Sequence, residues 1–285
     1  MATRRADFAG AWYPGTASDC KRTIEGLSEQ GVQCPELGTP VLGGIVPHAG
    51  WYYSGRIACN VIRCAAQGRS VDTCIIIGRH LHTGSPNYIM TEGAWDTPLG
   101  PLEIDGEAGG RLASEFPFQV ETASSYDQDN TIELQLPFVK YFFPEARILP
   151  LGLPPKDSSL RIGGRAAQIC KELGRETVVL GSTDLTHYGY NYGFVPEGVG
   201  EAAVSWVKQV NDRRVVDLMV AMDAAGVIRE AIRSSNACCA GAAGAAIAAA
   251  EELGASRGVE LDYFTSYDVR PDDSFVGYVG VLFAP

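Results

Sequence analysis

The chain contains four histidines, and each lies shortly after a short apolar segment. They are His48 after residues 41–46, His80 and His82 after residues 74–77, and His187 after residues 177–180. A single histidine beyond a strand is usually a surface or hydrogen-bonded residue, but the same placement of every histidine indicates a shared function. Imidazoles gathered at one place bind transition metals and transfer protons. The histidines therefore predict one site where the apolar segments end.

Two adjacent cysteines, Cys238 and Cys239, form the second candidate group, in NACCAGAAG (236–244). Asn236 is predicted to be the N-cap of an alanine-rich helix, which would place a cysteine in the first turn. There the helix dipole and the free N–H groups favour the thiolate, and a thiolate beside imidazoles suits a transition metal. The alternative is that both cysteines are small core residues of a tightly packed helix.

Acidic residues form a third group in SYDQDNTIELQLP (125–137). They precede a short helical pattern over Thr131–Leu136. Asp127 and Asp129 are interpreted as charges that complement the start of that helix. Glu133 could instead reach the predicted site, and the sequence leaves its role open.

Short apolar runs indicate the strands that would position these residues. The runs do not alternate with polar residues, which is typical of strands covered on both faces. They are VLGGIV (41–46), CIII (74–77), RILPL (147–151), TVVL (177–180) and VGYVGVLF (276–283). Helical spacing is found between them, at residues 18–30, 54–66, 161–173 and 204–227. Residues 86–104 are rich in turn residues and predict a hairpin or loop insertion.

Strands that alternate with helices predict an α/β fold, with a mostly parallel central sheet flanked by helices. We expect a single domain over residues 1–285, because no linker or composition shift divides the chain. In an open parallel sheet, ligands bind outside the carboxyl ends of the strands. All four histidines would therefore meet at one edge of the sheet.

The composition excludes some classes of partner. A formal net charge of −11 makes nucleic acid an improbable ligand, because phosphate contact requires clustered lysine and arginine. No apolar run reaches the roughly 18 residues that span a bilayer, so no membrane segment is expected. The first residues lack an apolar signal core, and the cysteines lie mostly in apolar stretches, as buried free thiols do. Together these features predict a cytoplasmic protein.

Seven stretches, taken in order, resemble the MEMO family, which includes the bacterial proteins called AmmeMemoRadiSam system protein B. The stretches are AGAWYPG (9–15), VPHAGWYYSG (46–55), GRHLHTG (78–84), DNTIELQLPF (129–138), GSTDLTHYG (181–189), NACCAG (236–241) and SYDVRPDDSFVGY (266–278). The resemblance covers nearly the full length. It implies a fold similar to that of class III extradiol dioxygenases of the LigB type, which hold non-haem Fe(II) with two histidines and a glutamate.

The resemblance also implies a set of metal ligands. His48 resembles the first histidine, and His82 resembles the second because it is followed by threonine and glycine. Cys238 resembles the cysteine that takes the place of the carboxylate. His80 and Cys239 are the alternates, since one residue is inserted before His82 and the cysteines are adjacent. The implied cofactor is one transition metal ion, Fe(II) by likeness to the fold relatives, with copper or zinc as alternatives that thiolate also suits.

Further residues resemble groups of the same pocket. His187, oriented by Asp184, is expected to act as an acid or base, and Glu133 is retained from a motif whose histidine is replaced here by Asn130. The resemblance implies an oxidoreductase of the dioxygenase type that acts on an unidentified small substrate, catechol-like or other. A rival function is a non-enzymatic adaptor that recognises peptides, with radical SAM and AMMECR-type proteins as candidate partners. Hydrolysis by a zinc-bound water is a third alternative.

Overall fold

The computed structural model describes residues 2–285 as alternating strands and helices. The strands, in chain order, are β1 (Thr3–Arg4), β2 (Gly43–Val46), β3 (Thr73–Gly78), β4 (Tyr88–Met90), β5 (Ala94–Trp95), β6 (Leu102–Glu103), β7 (Gln119–Glu121), β8 (Arg147–Gly152), β9 (Thr177–Ser182), β10 (His187–Tyr188), β11 (Arg257–Thr265) and β12 (Phe275–Ala284). The helices are α1 (Ala17–Glu29), α2 (Trp51–Ala65), α3 (Gly106–Glu115), α4 (Asn130–Glu133), α5 (Leu136–Phe142), α6 (Asp157–Glu172), α7 (Glu201–Trp206), α8 (Asp212–Val220), α9 (Ala224–Ser234), α10 (Ala240–Leu253) and α11 (Ser266–Val269). Within residues 2–285, none of the helices has the length and apolar character needed to cross a bilayer.

The central sheet has the strand order β10-β12-β2-β9-β3-β8-β4-β7, and β11 pairs with the long strand β12. Its middle strands β2, β9, β3 and β8 are parallel to one another, whereas β12 and β4 run antiparallel to them at the two sides. The α/β fold with a central sheet flanked by helices is therefore confirmed, with its parallel part in the middle of the sheet, and all five predicted runs are strands. Because β2, β3 and β9 are parallel, their carboxyl ends share one edge of the sheet.

The predicted insertion at residues 86–104 divides between two sheets. Strand β4 joins the edge of the central sheet, while β5 and β6 form an antiparallel pair to which β1 adds. The buried side chain of Arg4 fixes this small sheet, because its guanidinium stacks on the ring of Trp95 at 3.6 Å and bonds Glu121 at 3.1 Å. A stacked and paired guanidinium is one of the few ways to bury a positive charge at low cost.

Helix α10 is the alanine-rich element, and it packs against α6 at backbone-to-backbone distance. A Cβ atom added at Gly163 of α6 would lie 2.2 Å from the carbonyl oxygen of Ala245, so that any larger residue would push the helices apart. Such close packing favours the alanine and glycine residues that make up most of α10. It also fixes the start of α10, where the chain arrives from the two adjacent cysteines.

Cys34 and Cys64 are joined by a disulfide, contrary to the expectation of free thiols. The bond ties the segment that precedes β2 to the last turn of α2. Neither cysteine belongs to a short spaced motif, so the pair is created by the packing of distant segments. The argument from free thiols to a reducing compartment is thereby weakened.

Mass spectrometry tests this disulfide directly. Alkylation of the unfolded chain with iodoacetamide, without reductant, should modify the six free cysteines, and all eight after reduction. Peptide mapping should place the two protected thiols at Cys34 and Cys64. Modification of all eight without reductant would show that the bond does not form in the purified protein.

Candidate metal centre

His48 follows the carboxyl end of β2 and is 1% exposed. Its Nδ1 lies 2.9 Å from the hydroxyl of Ser182, which itself donates its proton to the carbonyl oxygen of Thr131 at 2.7 Å. A hydroxyl has one proton, so Ser182 must accept from Nδ1–H of His48. The Nε2 atom is therefore the free nitrogen of the neutral ring, and it points away from the sheet toward other ligand-type atoms.

The backbone around His48 is held by side chains from two other segments. Its N–H donates to Oδ1 of Asp184 at 2.7 Å. Its carbonyl oxygen accepts from the amide of Asn130 at 2.9 Å, and Gln135 donates to the preceding carbonyl, that of Pro47, at 2.9 Å. Asn130 therefore helps to position the backbone of His48.

His80 is brought to the centre by an unusual backbone conformation at Arg79. Arg79 has a φ of 83°, a left-handed conformation that a non-glycine residue rarely adopts. Its N–H donates to the hydroxyl of Thr131 at 2.6 Å, and its guanidinium bonds Glu121 and stacks on Tyr88. These contacts offset the strain of the turn. The turn directs Nε2 of His80 to 3.2 Å from Nε2 of His48.

His82, the expected second ligand, is outside the group of converging donor atoms, although it lines a groove that also contains Cys238. Its residue is exposed, and its Nδ1 accepts a hydrogen bond from the backbone N–H of Gly84 at 3.2 Å. The converging group contains the alternate, His80. The left-handed backbone of Arg79 immediately precedes His80.

Cys238 and Cys239 lie in the turn before α10 rather than in its first turn. Asn236 is therefore not the N-cap, and its amide donates instead to the carbonyl oxygen of Asn211 at 2.7 Å. The Sγ of Cys238 lies 3.3 Å from Nε2 of His48 and accepts from the backbone N–H of Asp184 at 3.3 Å.

The two thiols differ in acidity. Burial opposes ionisation of Cys238, but its contacts with Cys239 and with the imidazoles of His48 and His187 lower its pKa well below the usual value. Burial raises the pKa of Cys239, and the adjacent Cys238 raises it further. Cys238 is thus the thiolate of the pair, and Cys239 keeps its proton. This difference favours Cys238 as the first sulfur ligand.

The geometry of the cluster fits a single metal ion. One donor atom each from His48, His80, Cys238 and Cys239 lies within 4.8 Å of the others. Two donors on one tetrahedral ion with typical bond lengths lie roughly 3.3–3.8 Å apart. The nitrogen–nitrogen distance of 3.2 Å, the nitrogen–sulfur distance of 3.3 Å and the sulfur–sulfur distance of 3.7 Å are close to those edges.

His187 and Asp184 lie beside the cluster. The Nε2 of His187 is buried, has no hydrogen-bond partner among residues 2–285, and lies 3.9 Å from Oδ2 of Asp184. Burial opposes the charged ring, but Asp184 and the sulfur of Cys238 outweigh this and raise the pKa of His187 to about 10. The ring of Tyr192 packs on the imidazole with centroids 4.9 Å apart.

Comparison with known proteins identifies the family. Residues 4–282 match the family model described as Memo-like protein. The chain belongs to the Memo-like family. A MEMO1 family protein of Methanopyrus kandleri is 34% identical over 292 residues, covering 98% of each chain. Relatives of the same name from Pyrobaculum arsenaticum and Pyrococcus furiosus are 31% identical over 293 residues, covering 99% and 98% of each chain, respectively. These names state no reaction, so the function must be argued from the site.

Two grooves reach the centre of this Memo-like chain. The histidine-side groove, of about 690 Å³, is lined by His48 and His80 and by an outer rim with tyrosines and Arg270. The sulfur-side groove, of about 630 Å³, is lined by Cys238 and by apolar residues such as Ile232. His187 and Tyr192 line both grooves and therefore stand between them.

Glu133 of the Memo-like chain is engaged away from the cluster. Its carboxylate accepts from the backbone N–H groups of Asp7 and Phe8, at 3.0 and 2.7 Å, and from the hydroxyl of Tyr13 at 2.9 Å. These bonds anchor the segment before α1. Burial nevertheless raises the pKa of Glu133, since the three hydrogen bonds compensate it incompletely. These contacts indicate a structural role for Glu133, and its expected catalytic role stays a prediction.

Replacing Glu133 by glutamine tests this structural role. The amide N–H₂ would face the N–H of Asp7, so we expect the free energy of unfolding to fall by about 2 kcal/mol. Metal affinity should be unchanged. Urea unfolding and metal titration of the same preparation provide the two measurements. A loss of metal affinity at unchanged stability would instead assign Glu133 to the centre.

A buried polar network behind the centre was not foreseen from sequence. Asn211 closes a π-helical turn (Val207–Asn211), and its amide donates to the hydroxyl of Thr186 at 3.0 Å and to the carbonyl oxygen of Ser234 at 3.2 Å. Asp212, which is fully buried, accepts from the N–H of Thr186 at 3.1 Å and also from its hydroxyl. The network thereby joins the loop of His187 to the loop that precedes Cys238. In sequence its only signal is an unremarkable Asn-Asp pair.

Proposed function

We propose that this chain is a mononuclear metal protein whose ion is held by His48, His80 and Cys238, with Cys239 beside them. The single observation that supports this most strongly is the convergence of these donor atoms at tetrahedral-like spacing. The bond from His48 to Ser182 orients the ring before any ion arrives, as partners of metal-binding histidines commonly do. In this proposal, His80 takes the position that the resemblance assigned to His82.

The donor set restricts the identity of the ion. Two imidazoles with one or two sulfurs suit Fe(II), Cu(I) and Zn(II), and they are poor ligands for Mg²⁺ and Ca²⁺. Likeness to the extradiol enzymes supports Fe(II), whereas the sulfurs support copper or zinc. We propose Fe(II) as the functional ion and treat the other two as competitors that a metal analysis separates.

We propose that the reaction is an oxidation of a small substrate of the dioxygenase type. The bound ion would supply the redox chemistry. The protein residues would bind the substrate in the histidine-side groove and manage the proton. The Nε2 atom of His187 lies 3.9 Å from Oδ2 of Asp184, a carboxylate that would favour the protonated ring, so His187 is suited to donate a proton to a reacting oxygen. Asp184 also accepts a hydrogen bond from the backbone N–H of His48, so the same carboxylate contacts both the proposed acid, His187, and the proposed ligand, His48.

Metal analysis of anaerobically purified protein tests this proposal. We expect about one iron per chain by mass spectrometry, and oxygen uptake when catechol-type substrates are added. Zinc in place of iron, with no oxygen uptake, would favour hydrolysis or a structural ion. Wild-type protein that binds none of the three metals tightly would end the proposal.

A binding function is the second candidate, favoured by exposed aromatic side chains at the rim of the histidine-side groove. Tyr52 is 73% exposed and Trp12 is 42% exposed. Exposed aromatics are typical of surfaces that recognise another molecule. We propose radical SAM and AMMECR-type proteins as candidate partners, in the cytoplasm. Co-purification that Tyr52→Ala abolishes, from a metal-loaded protein without oxygen uptake, would favour this function over the oxidation.

A further inference from the structure

The two grooves give access to different atoms of the centre. Cys238 lines the sulfur-side groove, whereas His48 and His80 line the histidine-side groove. The rings of His187 and Tyr192 line both. A molecule in the sulfur-side groove would therefore meet the thiolate and His187 without passing the two histidine ligands.

The linings also differ in charge. The histidine-side groove carries Asp184, Arg270 and Asp272. In the sulfur-side groove, no lysine, arginine, aspartate or glutamate from residues 2–285 lines the wall. Its walls are largely apolar, with Leu185 and Phe194 among them. Its polar side chains are those of His82, Thr83, His187, Tyr192, Ser235 and Cys238.

The lining of the sulfur-side groove offers an ion no opposite charge, because no carboxylate, ammonium or guanidinium group from residues 2–285 lies in it. An incoming ion would lose hydration without finding a free counter-charge, which is costly. An uncharged molecule loses little and gains apolar contact. A groove of about 630 Å³ is in the size range of small-molecule sites.

We propose that the sulfur-side groove is a second binding site, which takes an uncharged, largely apolar small molecule and presents it to Cys238 and His187. The inference rests on the proposed function in one respect, that this molecule is a second reactant of the metal centre. The charged or strongly polar reactant enters through the histidine-side groove. The centre thus has separate sites for two reactants of different polarity.

Alkylation of Cys238 in metal-free, full-length protein tests the site. N-phenylmaleimide is uncharged and apolar, and its 4-carboxyphenyl analogue differs by one negative charge. In both reactions the sulfur adds to the maleimide double bond, and the adjacent carbon takes a proton from water. Each rate is divided by the rate of the same reagent with glutathione, and peptide mapping assigns the modified residue.

We expect the uncharged reagent to be favoured by about tenfold or more, with a rate that saturates as its concentration rises. Ile232→Trp should fill the groove and slow the reaction by about tenfold. Ile232 is 58% exposed, so the fold tolerates the change, and Val120→Trp, at a residue 52% exposed on β7, is the matched control and should react at the wild-type rate. Equal normalised rates for the two reagents, or an unchanged rate in Ile232→Trp, would overturn the inference. Because no metal is present, failure of the metal proposal would not alter this result.

Discussion

Replacement of His80 by alanine is expected to weaken Co(II) binding by roughly two to three powers of ten, whereas His82→Ala should leave the affinity within about twofold of wild type. Structural zinc sites with four ligands bind with apparent free energies of about 10–16 kcal/mol, so one ligand contributes about 3 kcal/mol. His80 has its Nε2 in the cluster. His82 is exposed and bonds only a nearby backbone N–H.

The two histidines form a matched pair for this measurement. Both lie in the same loop and are exposed in part, so alanine should cost little stability at either position. Anaerobic titration with Co(II), in competition with a chelator, gives the affinities. A charge-transfer absorption from sulfur to cobalt reports the thiolate, and Cys238→Ser should remove it while His80→Ala weakens binding but keeps it. A larger loss in His82→Ala than in His80→Ala would return His82 to the ligand set.

The choice between these histidines shows where sequence reasoning ends. The sequence predicts that every histidine lies at a strand end, because short apolar runs in an α/β pattern predict parallel strands with a common carboxyl edge. It does not predict which histidine turns inward. That depends on the left-handed conformation of Arg79, which is stabilised by Thr131 and Glu121, residues about 40 to 50 positions away. Long-range contacts of this kind leave no local pattern.

The same limit applies to the carboxylates and to the disulfide. Asp184 could be predicted because it follows β9 directly and lies three residues before His187, so its position in the sequence already places it at the strand ends. Glu133 lies in an equally conspicuous motif, but its partners are backbone N–H groups before α1, and no spacing rule links the two segments. Cys34 and Cys64 likewise meet only through the packing of α2. Local sequence pattern thus predicts which residues follow the strands. It does not predict contacts between segments that only the tertiary fold brings together.

Asp212→Ala is expected to lower the free energy of unfolding by about 4 kcal/mol and to alter the Co(II) spectrum. The change leaves three donors without their acceptor: the buried N–H and hydroxyl of Thr186, and the hydroxyl of the partly buried Tyr263, which lies 2.7 Å from the Asp212 carboxylate. Thr186 immediately precedes His187, so the disturbance reaches the centre. Asp212→Asn should be far milder, because an amide can accept from Thr186 and donate to Tyr263.

The stability difference between wild type and Asp212→Asn is also expected to depend on pH. Burial raises the pKa of Asp212 to about 6, although Thr186 and Tyr263 partly counteract it. A carboxyl whose folded pKa exceeds its unfolded value stabilises the fold fully below the unfolded pKa, and this contribution disappears as the pH rises through the folded pKa. Between pH 4 and pH 7, wild type should therefore lose about 2 kcal/mol relative to Asp212→Asn, which does not titrate.

Urea unfolding at several pH values measures the stability of these variants, and Co(II) spectra of the same variants report the geometry of the centre. Asp105 provides the control, because it is also fully buried but bonds Thr73 and the N–H of Ala108 near the opposite ends of the strands. Asp105→Asn should destabilise the protein without changing the cobalt spectrum. If Asp212→Ala has a wild-type spectrum, the buried network supports only the fold. If its spectrum changes while that of Asp105→Asn does not, the Asn211–Asp212 pair holds the two site loops in register, and the geometry of the centre is set by residues that never touch the ion.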